Sequence, residues 1–239
     1  MIRTFLAGLS LALAVLLVLP WFVLWSLITG KPDAMFAIAM RVVRFETRFL
    51  GIRVRVEGLE HVPACACVFV ANHASNIDPM VMIPALPRRV GILVKQELFR
   101  IPIFGRAMRV ADFVPVDRGD RESRSSAVSA AAESLKRGTS YVVFAEGTRS
   151  PDGRMRPFKR GAVTMAIEAG VPIVPVTLIG THQLLPKGKS IVAPGDATVH
   201  FGPPVDASAY TMEQRSELVA RVESIVASAL PPDQLPLNL

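Results

Sequence analysis

From Thr4 to Gly30 the chain reads TFLAGLSLALAVLLVLPWFVLWSLITG, 27 residues without a charge. Nothing else in the sequence restricts the fold as strongly, because so long an apolar run must leave water for protein or for lipid. As one helix it would extend about 40 Å, against a hydrocarbon core of about 30 Å. Pro20 interrupts it, and an interior proline removes a hydrogen bond and kinks the helix. The piece from Thr4 to Leu19 alone would reach only about 24 Å. Arg3 supplies a basic start, but the run is long for a signal peptide and no small-x-small cleavage site follows it. The segment is expected to be a retained, helical membrane anchor that either spans the bilayer or dips into one leaflet.

After Lys31-Pro32-Asp33, the stretch AMFAIAMRVVRFETRFLG repeats Arg41, Arg44 and Arg48 at helical spacing, opposite apolar positions that include Phe36, Met40, Val43 and Phe45. Such a basic amphipathic helix serves either as a surface helix of a domain or as a second arm at headgroup level. Adjacency to the apolar run favours the arm. Six Lys/Arg lie between Lys31 and Arg55, against Arg3 alone on the other side. The positive-inside rule then puts this chain at the cell membrane with everything after residue 31 on the cytoplasmic side.

A length of 239 residues suits one α/β domain plus an accessory segment. The net charge of +7 raises nucleic acid as a partner, but the basic residues are dispersed, aromatics make up 7 %, and no RNA- or DNA-binding motif is present. A membrane surface or an anionic substrate explains the charge with fewer assumptions. Cys65 and Cys67 are too few and too close for a disulfide framework, and no second Cys/His pair has metal-site spacing. Both are expected to be small core residues on one face of a strand, and no metal is expected.

Beyond the anchor, short β-branched runs alternate with helical patterns, which predicts an α/β fold. The strands are expected at 52–57, 65–71, 90–94, 112–116, 141–144 and 173–178, followed by 190–192 and 198–201. Helices are expected at 79–86, 121–136, 161–169 and 212–230. The proline-broken tail PPDQLPLNL is expected to fray. The chain thus divides into a membrane-associated segment, 1–50, an α/β domain, 51–230, and a tail, 231–239.

Several polar clusters fall where strands end. Val68-Phe69-Val70 runs into Asn72 and His73, Val114-Pro115-Val116 into Asp117 and Arg118, and Val142-Val143-Phe144 into Glu146, Gly147, Thr148 and Arg149. Open α/β sheets bind ligands outside the carboxyl ends of their strands. His73 and Asp78 are five positions apart, which on a helix is roughly 140° of rotation and on a strand the opposite face. They meet only if the backbone between them curls. Asp78 before Pro79 is also a common helix start, so capping alone would explain it. If the two side chains touch, the carboxylate fixes the tautomer and stabilises the imidazolium formed when the other nitrogen takes a proton. Ser75 is the nearby nucleophile candidate but lacks a G-x-S-x-G elbow, so His73 more economically activates a hydroxyl of the substrate. Arg118 and Arg149 suit a phosphate, Gly147 allows close backbone approach, and Glu146 and Thr148 can bond polar groups beside it. Arg154 and Arg156 read as solvated loop cations. Lys159 and Arg160, just before a helix, are further candidates for a phosphate.

These residues resemble the glycerolipid acyltransferases of the 1-acylglycerol-3-phosphate acyltransferase type. NHASNIDP is similar to the family's N-H-x4-D block, and KQELFRIPIFG to its K-x-E-L-x3-P-x2-G block, with Lys95, Glu97, Leu98, Pro102 and Gly105 in place. FVPVDR resembles the second block, FAEGTRS the third and VPIVPV the fourth, with Ala145 where the family usually has proline. The resemblance covers about Asn72 to Val176. It implies a mixed central sheet flanked by helices. It also implies that His73, oriented by Asp78, acts as general base on the sn-2 hydroxyl of lysophosphatidic acid. Acyl-CoA or acyl carrier protein would be the acyl-donating co-substrate, with no cofactor, and phosphatidic acid the product. Arg118 and Arg149 would hold the acceptor phosphate, with Glu146, Gly147 and Thr148 shaping the glycerol pocket and Lys95 a further anion ligand. Another acceptor, such as a lyso-ornithine lipid, thioester hydrolysis by water, or a non-catalytic membrane-binding module stand as alternatives.

Overall fold

The computed structural model describes residues 2–29, 32–117 and 119–236, with some side chains of the first two helices outside that description. The first helix, α1 (Ile2–Thr29), runs 28 residues with Pro20 inside it. Phe5, Leu9, Leu16, Trp21 and Ile28 stand exposed along it. Taken over the described residues alone, no helix is long and apolar enough to cross a membrane.

The second helix, α2 (Pro32–Phe49), carries Arg41, Arg44 and Arg48 on its open side and packs Phe36 and Met40 against the core. Phe45, expected on the apolar face, is instead exposed and stacks on Phe49 with ring centroids 6.4 Å apart. It lies nine residues from Phe36, which at about 100° per residue is the opposite side of the helix. Ser10 of α1 donates to the buried Glu46 of α2. Ala7 and Leu50 belong to the core of the α/β domain, so packing crosses the boundary expected at residue 50.

The domain is a seven-stranded mixed sheet. Its strands are β1 (Ile52–Glu57), β2 (Val68–Ala71), β3 (Val90–Lys95), β4 (Val114–Val116), β5 (Ser140–Phe144), β6 (Ile173–Ile179) and β7 (Gly195–Phe201). They lie in the order β1-β7-β6-β2-β5-β3-β4. Strands β2 to β6 are parallel, whereas β7 is antiparallel to β6 and β1 is parallel to β7. Central β2 is buried at every residue, as expected for a parallel strand covered on both faces. One face receives α2 and α3 (Asp78–Met82) through Met40, Val81 and Met82. Beyond α4 (Phe104–Val110), the other face receives α5 (Arg121–Lys136), α6 (Gly161–Ala169) and, past α7 (Thr181–Leu184), α8 (Arg215–Ser228).

Several sequence expectations shift. Strand β2 begins at Val68, leaving Cys65 exposed and outside it, while Cys67 is buried with its thiol pushed up to about 11 by that burial. Residues 190–192 form no strand; the Val192 amide donates to Thr4 Oγ1 of α1. The helix expected over 79–86 ends at Met82 and tightens into a 3₁₀ turn, Ile83–Ala85, around Pro84, which has no amide proton to donate. As far as residue 236 the tail does not fray, and 237–239 lie outside the described residues: the Met155 amide donates to Gln234 O (2.8 Å), Arg154 Nη1 to Leu235 O (3.0 Å), and Gln234 is buried.

Candidate active site

The carboxyl ends of β2, β5 and β6 lie side by side, and the chain leaving each contributes to one cluster. Past Ala71 the backbone turns through Asn72–Ile77 before α3 starts. This turn supplies the curl that the His73–Asp78 spacing demands. Asp78 Oδ2 accepts three hydrogen bonds, from His73 Nδ1 (2.8 Å), the Ala74 amide (2.8 Å) and the Ser75 amide (2.9 Å). No side-chain cap bond to α3 is made, so capping does not account for this carboxylate. The Asp78 side chain is fully buried and that of His73 is 16 % exposed, so the pair meets solvent through the imidazole alone. With Nδ1 held by the carboxylate, Nε2 is the nitrogen left to meet a substrate proton. The ring also stacks on Phe144 at the end of β5, centroids 4.4 Å apart.

Ser75 is no nucleophile in this arrangement. Its side chain is buried, donating to Leu185 O (2.8 Å) and accepting from the Ile77 amide (3.2 Å). The hydroxyl therefore ties the turn to the segment after α7.

Behind the pair stands a layer that sequence reasoning did not assign. Asn72 is buried, donates through Nδ2 to Leu178 O (2.9 Å), and accepts the Leu178 amide on Oδ1 (2.8 Å). Its side chain thus makes both bonds of a backbone pair and continues the β2–β6 ladder one step beyond Ala71. The His73 amide donates to Glu146 Oε1 (2.8 Å), and His73 O accepts from the Ser150 amide (2.8 Å). The histidine backbone is therefore pinned from the β5 side at both its polar groups. Asn72 was visible as a polar residue at a strand end, but its partner lies 106 residues away.

Glu146 is itself buried, with Oε2 closed to solvent. Burial pushes its carboxyl up to about 8, the His73 amide works against that rise, and the neighbouring Asp78 charge adds to it. Gly147 has φ +72, and a Cβ there would come within 2.7 Å of Lys159 Nζ, so this lysine lies across the Glu146–Arg149 turn. Arg149 is half-buried, its carbonyl accepts from Lys187 Nζ (3.0 Å), and among the described residues its guanidinium is in no ion pair. Thr148 and Lys95 are exposed, Lys95 at the end of β3. Arg118 lies outside the described residues. Among those described, no group of His, Cys, Asp and Glu is arranged to hold a metal.

Comparison with known proteins accords with this geometry. The family model described as Acyltransferase matches residues 53–179. A chloroplastic 1-acyl-sn-glycerol-3-phosphate acyltransferase from Brassica napus is 39 % identical over 156 residues, 64 % of this chain and 45 % of that protein. The present chain therefore spans about half the length of that relative. The alpha form of 1-acyl-sn-glycerol-3-phosphate acyltransferase from Homo sapiens is 34 % identical over 186 residues, 77 % of this chain and 66 % of its own. The crystal structure of the 1-acyl-sn-glycerophosphate acyltransferase PlsC from Thermotoga maritima superposes with a TM-score of 0.78 at 31 % identity, covering 94 % of this chain and 93 % of that one.

Proposed function

This chain belongs to the acyltransferase family, and on that premise we propose that it transfers a fatty acyl group from a thioester donor to the sn-2 hydroxyl of lysophosphatidic acid, forming phosphatidic acid. The observation that carries the reading is the buried Asp78 carboxylate on His73 Nδ1, which leaves Nε2 of a partly exposed ring for the substrate proton. In the reaction Nε2 takes the hydroxyl proton as the acceptor oxygen attacks the thioester carbonyl. The tetrahedral intermediate collapses, the carbon–sulfur bond breaks, and the imidazolium returns its proton to the departing thiolate. Asp78 stabilises the imidazolium between those two transfers.

Arg149 is the first ligand of the acceptor phosphate in this reading, since its guanidinium is uncommitted among the described residues and its loop adjoins His73. Arg118 and Lys95 complete the anion site, while Gly147 and Thr148 border the glycerol. Glu146 acts from behind, through the His73 amide. The donor is acyl-CoA or acyl carrier protein. The apolar α1 and the arginine-bearing α2 hold the chain to the cytoplasmic face of the cell membrane, where the acceptor and product reside.

The test is acyl transfer from labelled oleoyl-CoA to lysophosphatidic acid in detergent micelles, wild type beside His73→Ala. Phosphatidic acid from the wild type alone is the expected result, with membrane attachment of the variant unchanged. No product from either protein, repeated with acyl carrier protein and with other lysolipids including a lyso-ornithine lipid, refutes the acyltransferase reading. Equal rates from both proteins would remove His73 from its role.

A further inference from the structure

The block KQELFRIPIFGR has no chemical role in the reaction above beyond Lys95, yet its shape is tightly specified. It follows β3 at the same edge of the sheet on which His73 follows β2. A 3₁₀ turn, Gln96–Arg100, leads into Ile101-Pro102-Ile103 and then α4. The Phe104 amide donates back to Pro102 O (2.6 Å), closing a γ-turn around Ile103, which sits at φ 66°, ψ −54°. A β-branched residue at positive φ is a backbone outlier. Gly105 closes the turn from behind, since a Cβ there would lie 2.1 Å from Phe99 O. Phe99 is the buried peg of the structure, and the Arg109 guanidinium covers its ring at 5.6 Å.

What this scaffold presents is apolar. Leu98, Ile101 and Ile103 are 38 %, 47 % and 44 % exposed within six residues of chain. Arg100, Arg106 and Arg109 stand exposed around them, and among the described residues none is in an ion pair. Helix α4, which continues the turn, packs against α1, whose own apolar side chains are open. Aliphatic tips ringed by arginines match the boundary between acyl chains and anionic headgroups. Continuity with the open apolar side chains of α1 favours a lipid surface over an acidic protein.

We propose that the Leu98–Ile103 turn is a second membrane-contact element, seating an anionic bilayer surface at the edge of the sheet that carries His73. It rests on the membrane-bound reading of α1 and α2 and extends that surface, through the α1–α4 contact, to the turn that follows β3.

The test attaches an environment-sensitive fluorophore to single cysteines in the full chain. Cys65 is replaced by serine, and the buried Cys67 stays unlabelled. The labels go at Ile101→Cys, at Leu13→Cys in α1, and at Glu133→Cys on α5. The proteins are placed in phosphatidylcholine–phosphatidylglycerol vesicles with or without a doxyl-labelled lipid. The labels at 101 and 13 should shift to the blue and be quenched about twofold, while that at 133 stays solvent-like. A solvent-like label at 101 beside a quenched one at 13 overturns this proposal and leaves the anchor standing. Solvent-like labels at both overturn the membrane reading itself, and equal quenching at all three marks unspecific contact and overturns the proposal. The readout is independent of whether acyl transfer occurs. As a second arm, Ile101→Asp with Ile103→Asp should lower turnover of vesicle-borne acceptor about tenfold while leaving a short-chain monomeric acceptor within about twofold. Equal loss on both acceptors would assign the turn a purely structural role.

Discussion

Replacing Glu146 by glutamine isolates a single buried carboxyl and its effect on stability. Glu146 is buried, and its carboxyl is raised from an ordinary 4.5 to about 8, chiefly by burial. Between those two values the folded chain keeps a proton that the unfolded chain has lost. Stability therefore falls as pH rises through that window, and the loss is complete above about 8. At about 1.4 kcal/mol per pH unit across the window, the wild type loses at most about 5 kcal/mol. Glutamine keeps a carbonyl oxygen to accept the His73 amide and has nothing to titrate. The variant should hold its stability where the wild type sheds it, with the gap between them widening from pH 6 to pH 8.5. Urea unfolding of both proteins in one detergent, followed by circular dichroism at several pH values, reads this directly. Parallel stability–pH curves would refute the burial argument, because the titrating group would then lie elsewhere.

Asp78→Asn should keep the turn but remove the charge that stabilises the imidazolium, so kcat should fall about 10²–10⁴-fold with little change in KM; initial rates at saturating acceptor test it. Asn72→Leu leaves the Leu178 amide and carbonyl buried without partners. It should cost about 2–5 kcal/mol in urea unfolding, and a loss below about 1 kcal/mol would show the clasp to be dispensable. Gly105→Ala forces a Cβ to 2.1 Å from Phe99 O and should lower the melting temperature by several degrees, since backbone on both sides has to move.

The elements legible in the sequence are those whose local pattern and packing agree. Helices α5 and α6 and strand β1 lie where their periodicity puts them. Strand β2 is shorter than its apolar run because Cys65 precedes the sheet's edge, which no local pattern marks. Helix α4 was not foreseen, since Pro102 and a strained Ile103 immediately before it mask a short helix as loop. At the site, the meeting of His73 and Asp78 followed from asking how a five-residue offset could close. The pinning by Asn72, Glu146 and Ser150 did not, because those bonds span 106, 73 and 77 residues and depend on strand order. Sequence patterns report which residues share a face, and the neighbours of a strand become visible only once the sheet is assembled.

The three donors on Asp78 Oδ2 close rings of fixed size through the chain, and two of those donors are backbone amides, which every residue but proline supplies. At the exposed Asn76 the turn therefore constrains count more than chemistry. Many side chains at that place would leave the histidine where it is, whereas the buried Ala74 is held small by its packing. Adding or deleting one residue would carry the carboxylate off its imidazole whatever letters surrounded it. Within this turn the information that makes a base of His73 is metric, a length of chain, and a substitution scan confined to residue type would overlook it.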